Sequence, residues 1–94
     1  METILAVDLK KGKVVRAFAG FRSNYKPLKS TKYNLESPVN FINKVLTLLA
    51  ISKVYVADLD SIQNSGSNFD LISKLLNTFQ HLTFLIDNGF DYPK

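Results

Sequence analysis

Short apolar runs alternate with longer amphipathic stretches along this chain. Ile4 to Val7 is uninterrupted apolar sequence that stops on a carboxylate, Asp8. A run of that length, bounded by a charge, predicts a strand covered on both faces, as in a parallel sheet. Lys10-Lys11-Gly12-Lys13 predicts a turn. Val14 to Ala19 is β-branched at its start and aromatic later, which predicts a returning strand or hairpin arm. Gly20 to Glu36, "GFRSNYKPLKSTKYNLE", is polar and holds Pro27, so it predicts a long loop of the kind that often carries function. At Ser37-Pro38 a helix is expected to start, because serine can cap exposed N–H groups and proline is tolerated at the first helical position. Val39, Ile42, Val45, Leu46 and Leu49 then recur at helical spacing, and the helix should run to about Ala50.

The second half repeats the pattern. Lys53 to Leu59, "KVYVADL", predicts a strand ending in acid, with Asp58 and Asp60. "SIQNSGSN" predicts a loop, and Asn68 is expected to cap a second helix lined by Phe69, Ile72, Leu75, Leu76 and Phe79. Leu82 to Ile86 predicts a third buried strand, stopping at Asp87. Strand, helix, strand, helix, strand is the order of βαβ units, so the fold class is α/β with parallel pairing. Right-handed crossovers would bring all three strand C-termini to one edge, carrying Asp8, Asp58 with Asp60, and Asp87. Ligands of parallel α/β folds bind outside that edge. Carboxylates there can move protons, bind ribose hydroxyls or hold a metal; an Asp after a strand can equally bond loop amides or start a turn. One of Asp58 and Asp60, not both, is expected to do chemistry.

Composition narrows this picture. With 94 residues the chain is at most one domain, and 46% hydrophobic with 21% charged residues is ordinary for a soluble globular protein. There is no cysteine, which excludes disulfides and thiolate metal sites and fits a cytoplasmic location. One histidine, His81, stands alone before a strand, so no metal site is expected. No apolar run approaches the roughly 18 residues needed to span a bilayer, and "METILAVDL" lacks the basic start of a signal peptide. The net charge of +4 gathers in two places, Lys10 to Lys13 and Arg22 to Lys32. These read either as solvated loop charges or as a rim attracting phosphate, while nothing supports nucleic-acid binding. "DNG" at Asp87 to Gly89 could admit a phosphate to the backbone or simply turn the chain. No P-loop or G-x-G-x-x-G is present. Phe18, Phe21, Tyr25 and Tyr33 could line a pocket or cover loop surface.

"AVDLKKGKVVRAFAG" followed by "VYVADLDSI" resembles the HisA/HisF family, whose members include the aminoimidazole carboxamide ribotide isomerases of histidine biosynthesis. That family typically reads "IDL-x-x-G-x-V-V" at its first strand and "VDLD" at its second. "GFRSNYKPLKS", "ADLDSI" and "GSNFD" look more like a HisA-related side branch found in methanogens and methylotrophs. The resemblance implies a TIM-type (βα)₈ barrel, of which this chain would be the N-terminal part: β-α-β-α-β, residues 1–94, with a hairpin after the first strand.

It also implies Asp8 as general base of an Amadori-type aminoaldose–ketose isomerisation of a phosphorylated small molecule, without cofactor. Asp58, Asp60, Asp87, Gly89 and Arg22 are the candidate substrate-binding residues. The family's partner acid belongs to a fifth barrel strand, and its third strand leads into "GGGIR" where this chain has "IDNGF". The expectation is therefore an isomerase inactive without further barrel strands; the alternative is a non-catalytic barrel fragment or assembly module. Three parallel strands cannot close a barrel, so self-association or a complementing chain is expected.

Overall fold

The computed structural model describes residues 3–20, 26–27 and 37–89. Its elements, in chain order, are β1 (Thr3–Lys10), β2 (Lys13–Gly20), β3 (Lys26–Pro27), α1 (Pro38–Leu48), β4 (Ile51–Asp58), α2 (Leu59–Ile62), α3 (Phe69–Thr78) and β5 (Thr83–Asp87). They form one sheet in the order β3-β2-β1-β4-β5. β1, β4 and β5 are mutually parallel. β2 and β3 extend the sheet beyond β1 as antiparallel strands. This is the expected partial (βα) barrel with a hairpin after its first strand.

Alternation within the strands sorts the side chains onto two faces. Leu5, Val7 and Leu9 of β1 and Val54 and Val56 of β4 are fully buried on one face. Phe41, Ile42 and Val45 of α1 and Ile72 and Leu75 of α3 cover them, completing one core. Full burial of a side chain of this size contributes about 1.5–3 kcal/mol. Among the described residues no helix lies over the other face. Its rows, read across the sheet by register, are Arg16–Asp8–Ala57–Asp87, then Phe18–Ala6–Tyr55–Leu85, then Gly20–Ile4–Lys53–Thr83. Tyr55 is 50% exposed and Leu85 39%, so the centre of this face meets solvent.

Helix α1 starts as expected. Ser37 is extended, its hydroxyl accepts from the Asn40 N–H at 3.4 Å, and Pro38 opens the helix. The helix stops at Leu48 rather than Ala50, because Leu49 turns extended and the chain enters β4 at Ile51. The apolar stripe holds through Val39, Ile42, Val45 and Leu46, all packed on the core, and is widened by Pro38 and Phe41. Pro38, Phe41, Ile42 and Val45 are buried, whereas Leu49 is 36% exposed. In α3, Ile72, Leu75 and Phe79 face the core, but Phe69 is 71% and Leu76 44% exposed. Phe69 sits at the first helical position, ahead of the stretch that rests on the sheet.

The segment after β4 is not wholly loop. Leu59–Ile62 forms a single helical turn, α2, nucleated by the Asp58 carboxylate. The expected long loop from Gly20 to Glu36 contains β3; the rest of it, with Arg22, Phe21, Tyr25 and Tyr33, lies outside the described residues. No helix among the described residues is long and apolar enough to cross a membrane.

The two faces make opposite predictions for truncation. Leu5→Ala, in the fully buried row, should cost about 2–5 kcal/mol, whereas Leu85→Ala on the open face should cost no more than about 1 kcal/mol. Urea unfolding of both variants against the parent checks this, and equal losses would refute the assignment of faces.

Candidate functional site

Two polar constellations occupy the C-terminal edge of the parallel strands, one on each face of the sheet. On the open face Asp8 and Asp87 lie in one row, each paired in register with Ala57 between them. Two inter-strand steps of about 4.8 Å separate their backbones by roughly 10 Å. That gap is too wide for direct contact and wide enough for a sugar-sized molecule to sit over Ala57. Asp8 keeps 23% of its side chain exposed, and Arg16 Nε donates to its Oδ2 at 3.1 Å. Arg16 reaches this position because a bulge between Asp8 and Leu9 leaves Val15 as a surplus residue in β2. Asp87 is exposed and its Oδ1 accepts from the Gly89 N–H at 3.0 Å.

On the covered face the sheet edge is closed by a buried network. Asp58 is 1%, Asp60 5% and Asn68 6% exposed. The Asn68 side chain donates to Asp58 Oδ1 at 2.7 Å and to Asp60 Oδ2 at 2.9 Å. Its backbone N–H donates to Asp58 Oδ2 at 2.8 Å. Asn68 Oδ1 accepts from the Gly12 N–H at 2.8 Å, and Asp60 Oδ2 accepts from the Lys11 N–H at 2.6 Å. The Ser61 N–H and the Ser65 hydroxyl complete the set on Asp58 and Asp60 respectively. No buried side-chain polar atom among the described residues lacks a partner. The network ties the β1–β2 turn to the start of α3 across more than fifty positions of sequence for Gly12 and Asn68.

That turn needs left-handed backbone at two consecutive residues, with φ of 51° at Lys11 and 76° at Gly12. Glycine accepts this at no steric cost and Lys11 does so at some cost, which the bonds to Asp60 and Asn68 offset. Asp60 is held below the usual carboxylate range. The Lys11 N–H contributes most, then the Asn68 side chain; burial opposes them, and the Ser65 hydroxyl and the Lys10 charge add smaller lowering effects. Beside the network, Lys11, Gly12, Asp60, Ser67, Asn68 and Asp70 line an open groove of about 540 Å³.

The expected gathering of carboxylates is therefore corrected in part. Asp8 and Asp87 do share the lip of the open face. Asp58 lies one residue beyond the Ala57 row, so the strand period turns it to the covered face opposite Leu9. Asp60 has left the strand for α2 and joins Asp58 there. The pair is not divided between chemistry and structure; both carboxylates are engaged by Asn68. Asn68 does precede α3 as expected, yet its side chain makes no cap bond, and Ser67 Oγ accepts from the Phe69 N–H instead.

Gly89 is at φ +73°, and a Cβ there would stand 2.8 Å from Ile62 Cα, so close packing explains this glycine. The Lys10–Lys13 turn spends the Lys11 and Gly12 amides on the protein's own acceptors rather than presenting them to a phosphate. Arg22 is among the residues the structure does not describe. Sequence reasoning missed Arg16, whose placement beside Asp8 depends on the bulge, and missed the role of Asn68 as a buried donor. Among the described residues no group of three or more His, Cys, Asp or Glu is arranged to hold a metal ion.

Residues 2–91 match the protein family described as "Histidine biosynthesis protein". An uncharacterised protein of Methanocaldococcus jannaschii is 33% identical over 75 residues, which is 80% of this chain and 33% of the relative. The chain thus spans about a third of the length of the curated relative it matches. No solved structure matches it.

The network generates a pH prediction. A carboxyl whose folded pKa is depressed contributes stability that is full above its unfolded value and disappears as pH falls through the folded value. Urea midpoints measured from neutral pH downward should fall at acid pH, and Asp60→Asn should flatten that fall. Asn68→Leu, which strands two buried carboxylates, should cost about 3 kcal/mol or more at neutral pH. An Asn68→Leu chain as stable as the parent would dismiss the network as a structural element.

Proposed function

The chain belongs to the histidine-biosynthesis protein family, the HisA/HisF family, and from that premise we propose that it supplies the first-strand half of an aminoaldose–ketose isomerase site. The observation that carries this reading is the row Asp8–Ala57–Asp87 at the C-terminal edge of three parallel strands, on the face a barrel would turn inward. In an Amadori-type rearrangement one group protonates the ring oxygen to open the aminoaldose, and another removes the proton from C2. Asp8 is suited to the second task. It is partly exposed and anchored on a central strand of the sheet. Asp87, across Ala57, is placed to accept from sugar hydroxyls. The substrate is a phosphorylated ribose derivative of the aminoimidazole carboxamide class, and the acid for ring opening comes from barrel strands beyond those described. Because the chain covers a third of its relative, turnover belongs to the completed barrel and not to this unit alone.

A second reading, an assembly module without chemistry of its own, draws on the solvent-facing Tyr55 and Leu85 in the row below Asp8. The two readings part on Asp8.

Asp8→Asn removes the base while keeping shape. In a completed barrel it should lower turnover of the aminoimidazole ribotide by about 10²–10⁴-fold with little change in substrate binding. Steady-state assay and calorimetric titration of parent and variant measure the two quantities. Equal turnover would remove Asp8 from the chemistry and leave the assembly reading.

A further inference from the structure

A closed barrel of parallel strands gives each strand a parallel neighbour on both sides. β5 has β4 on one side, and no strand beyond it among the described residues. β1 also has β4, but its other edge is already occupied. β2 lies along it, antiparallel, from Lys10↔Lys13 to Ile4↔Gly20. Among the described residues, then, one edge of the parallel set carries no further strand and the other is blocked by the chain's own hairpin arm. The open edge is bordered by apolar surface. Phe69, Ile72, Leu76 and Ile86 help line a cleft of about 240 Å³ beside β5, and Phe69, Leu76 and Ile86 are each more than a third exposed.

The blocking arm is built in two halves. Next to the turn, the hairpin is pinned by Asp60 and Asn68. Beyond the bulge at Val15, the stretch Arg16–Gly20 places only Ala17 and Ala19 on the buried face. On the buried face that half carries only the small alanine side chains, with Phe18 part-buried on the opposite face. The M. jannaschii relative, meanwhile, carries two-thirds of its length outside the matched third.

We propose that when further parallel βα units add to the outer edge of β5, closing the sheet onto β1 displaces Arg16–Gly20 from Ile4–Asp8. β2 is then a placeholder that covers the β1 edge until the closing strand arrives. Its departure also takes Arg16 away from Asp8, so the carboxylate is released from its ion pair as the barrel closes. The inference rests on the barrel part of the functional reading and not on the isomerase chemistry.

The chain has no cysteine, so one engineered pair gives a unique cross-link. Ala6 and Phe18 are direct cross-strand partners, and antiparallel partners stand about 4.5–5.5 Å apart, within disulfide reach. The double variant Ala6→Cys/Phe18→Cys is co-produced with the portion of the M. jannaschii relative outside its matched third. With the clamp reduced, sedimentation should show a one-to-one complex, and the Ala17 to Ala19 amides should exchange hydrogen about tenfold faster in the complex than in the free chain. With the clamp oxidised, affinity should fall by about tenfold or more. A complex that forms equally with the clamp closed, an unchanged exchange rate in β2, no complex at all, or pairing of two copies of this chain at β5 would each overturn the proposal. A complex that responds to the clamp but lacks turnover would support the proposal and count against the isomerase reading alone.

Discussion

Parallel pairing of β1, β4 and β5 is the constraint from which the remaining structure follows. A strand repeats every two residues, so a one-residue slip in register would exchange the faces of every side chain on the slipped strand. In the observed register Leu5 and Val7 meet Val54 and Val56 beneath the helices, and Asp8 meets Ala57 on the opposite face. The same register turns Asp58 inward, beside Leu9. A one-residue slip of β4 would bury Tyr55 and Lys53 and push Val54 and Val56 into water. Hydrophobic burial on the covered face thus fixes the position of polar groups on the uncovered one, although the two sets never touch.

Burying Asp58 and Asp60 is costly unless each charge is hydrogen-bonded. Asn68 meets that condition for both at once, and the turn amides of Lys11 and Gly12 meet it from the other side. The result is a polar joint between elements that share few apolar contacts. It holds the hairpin turn against the start of α3, and the hairpin in turn presents Arg16 to Asp8. The ion pair on one face is therefore supported by hydrogen bonding on the other.

Much of this was legible in the sequence where the signal is local. The apolar runs at Ile4–Val7 and Leu82–Ile86, the Ser37-Pro38 start and the helical spacing after it identified the elements, because period and capping act within a few residues, but not their burial: β1 is fully buried on one face only and β5 is mostly exposed. Asp8 and Asp87 at a common edge followed from strand order alone. The fate of Asp58 did not. Strand period turns it toward the helices, but a carboxylate stays buried there only with a partner, here ten residues away in sequence, and Asn68 read only as a helix start. The bulge that sets Arg16 beside Asp8 has no composition of its own, and the contacts from Asp60 and Asn68 to the hairpin turn join residues far apart in the chain.

Val15 illustrates how little is needed to change the charge at the lip. As a surplus residue it shifts the phase of everything after it in β2, so a cation rather than an apolar side chain comes to lie against Asp8. Pairing Val15 with Asp8 instead would carry Arg16 and Phe18 to the helix side and turn Ala17 and Ala19 outward, so one unpaired position keeps the lip and the core beneath it in phase.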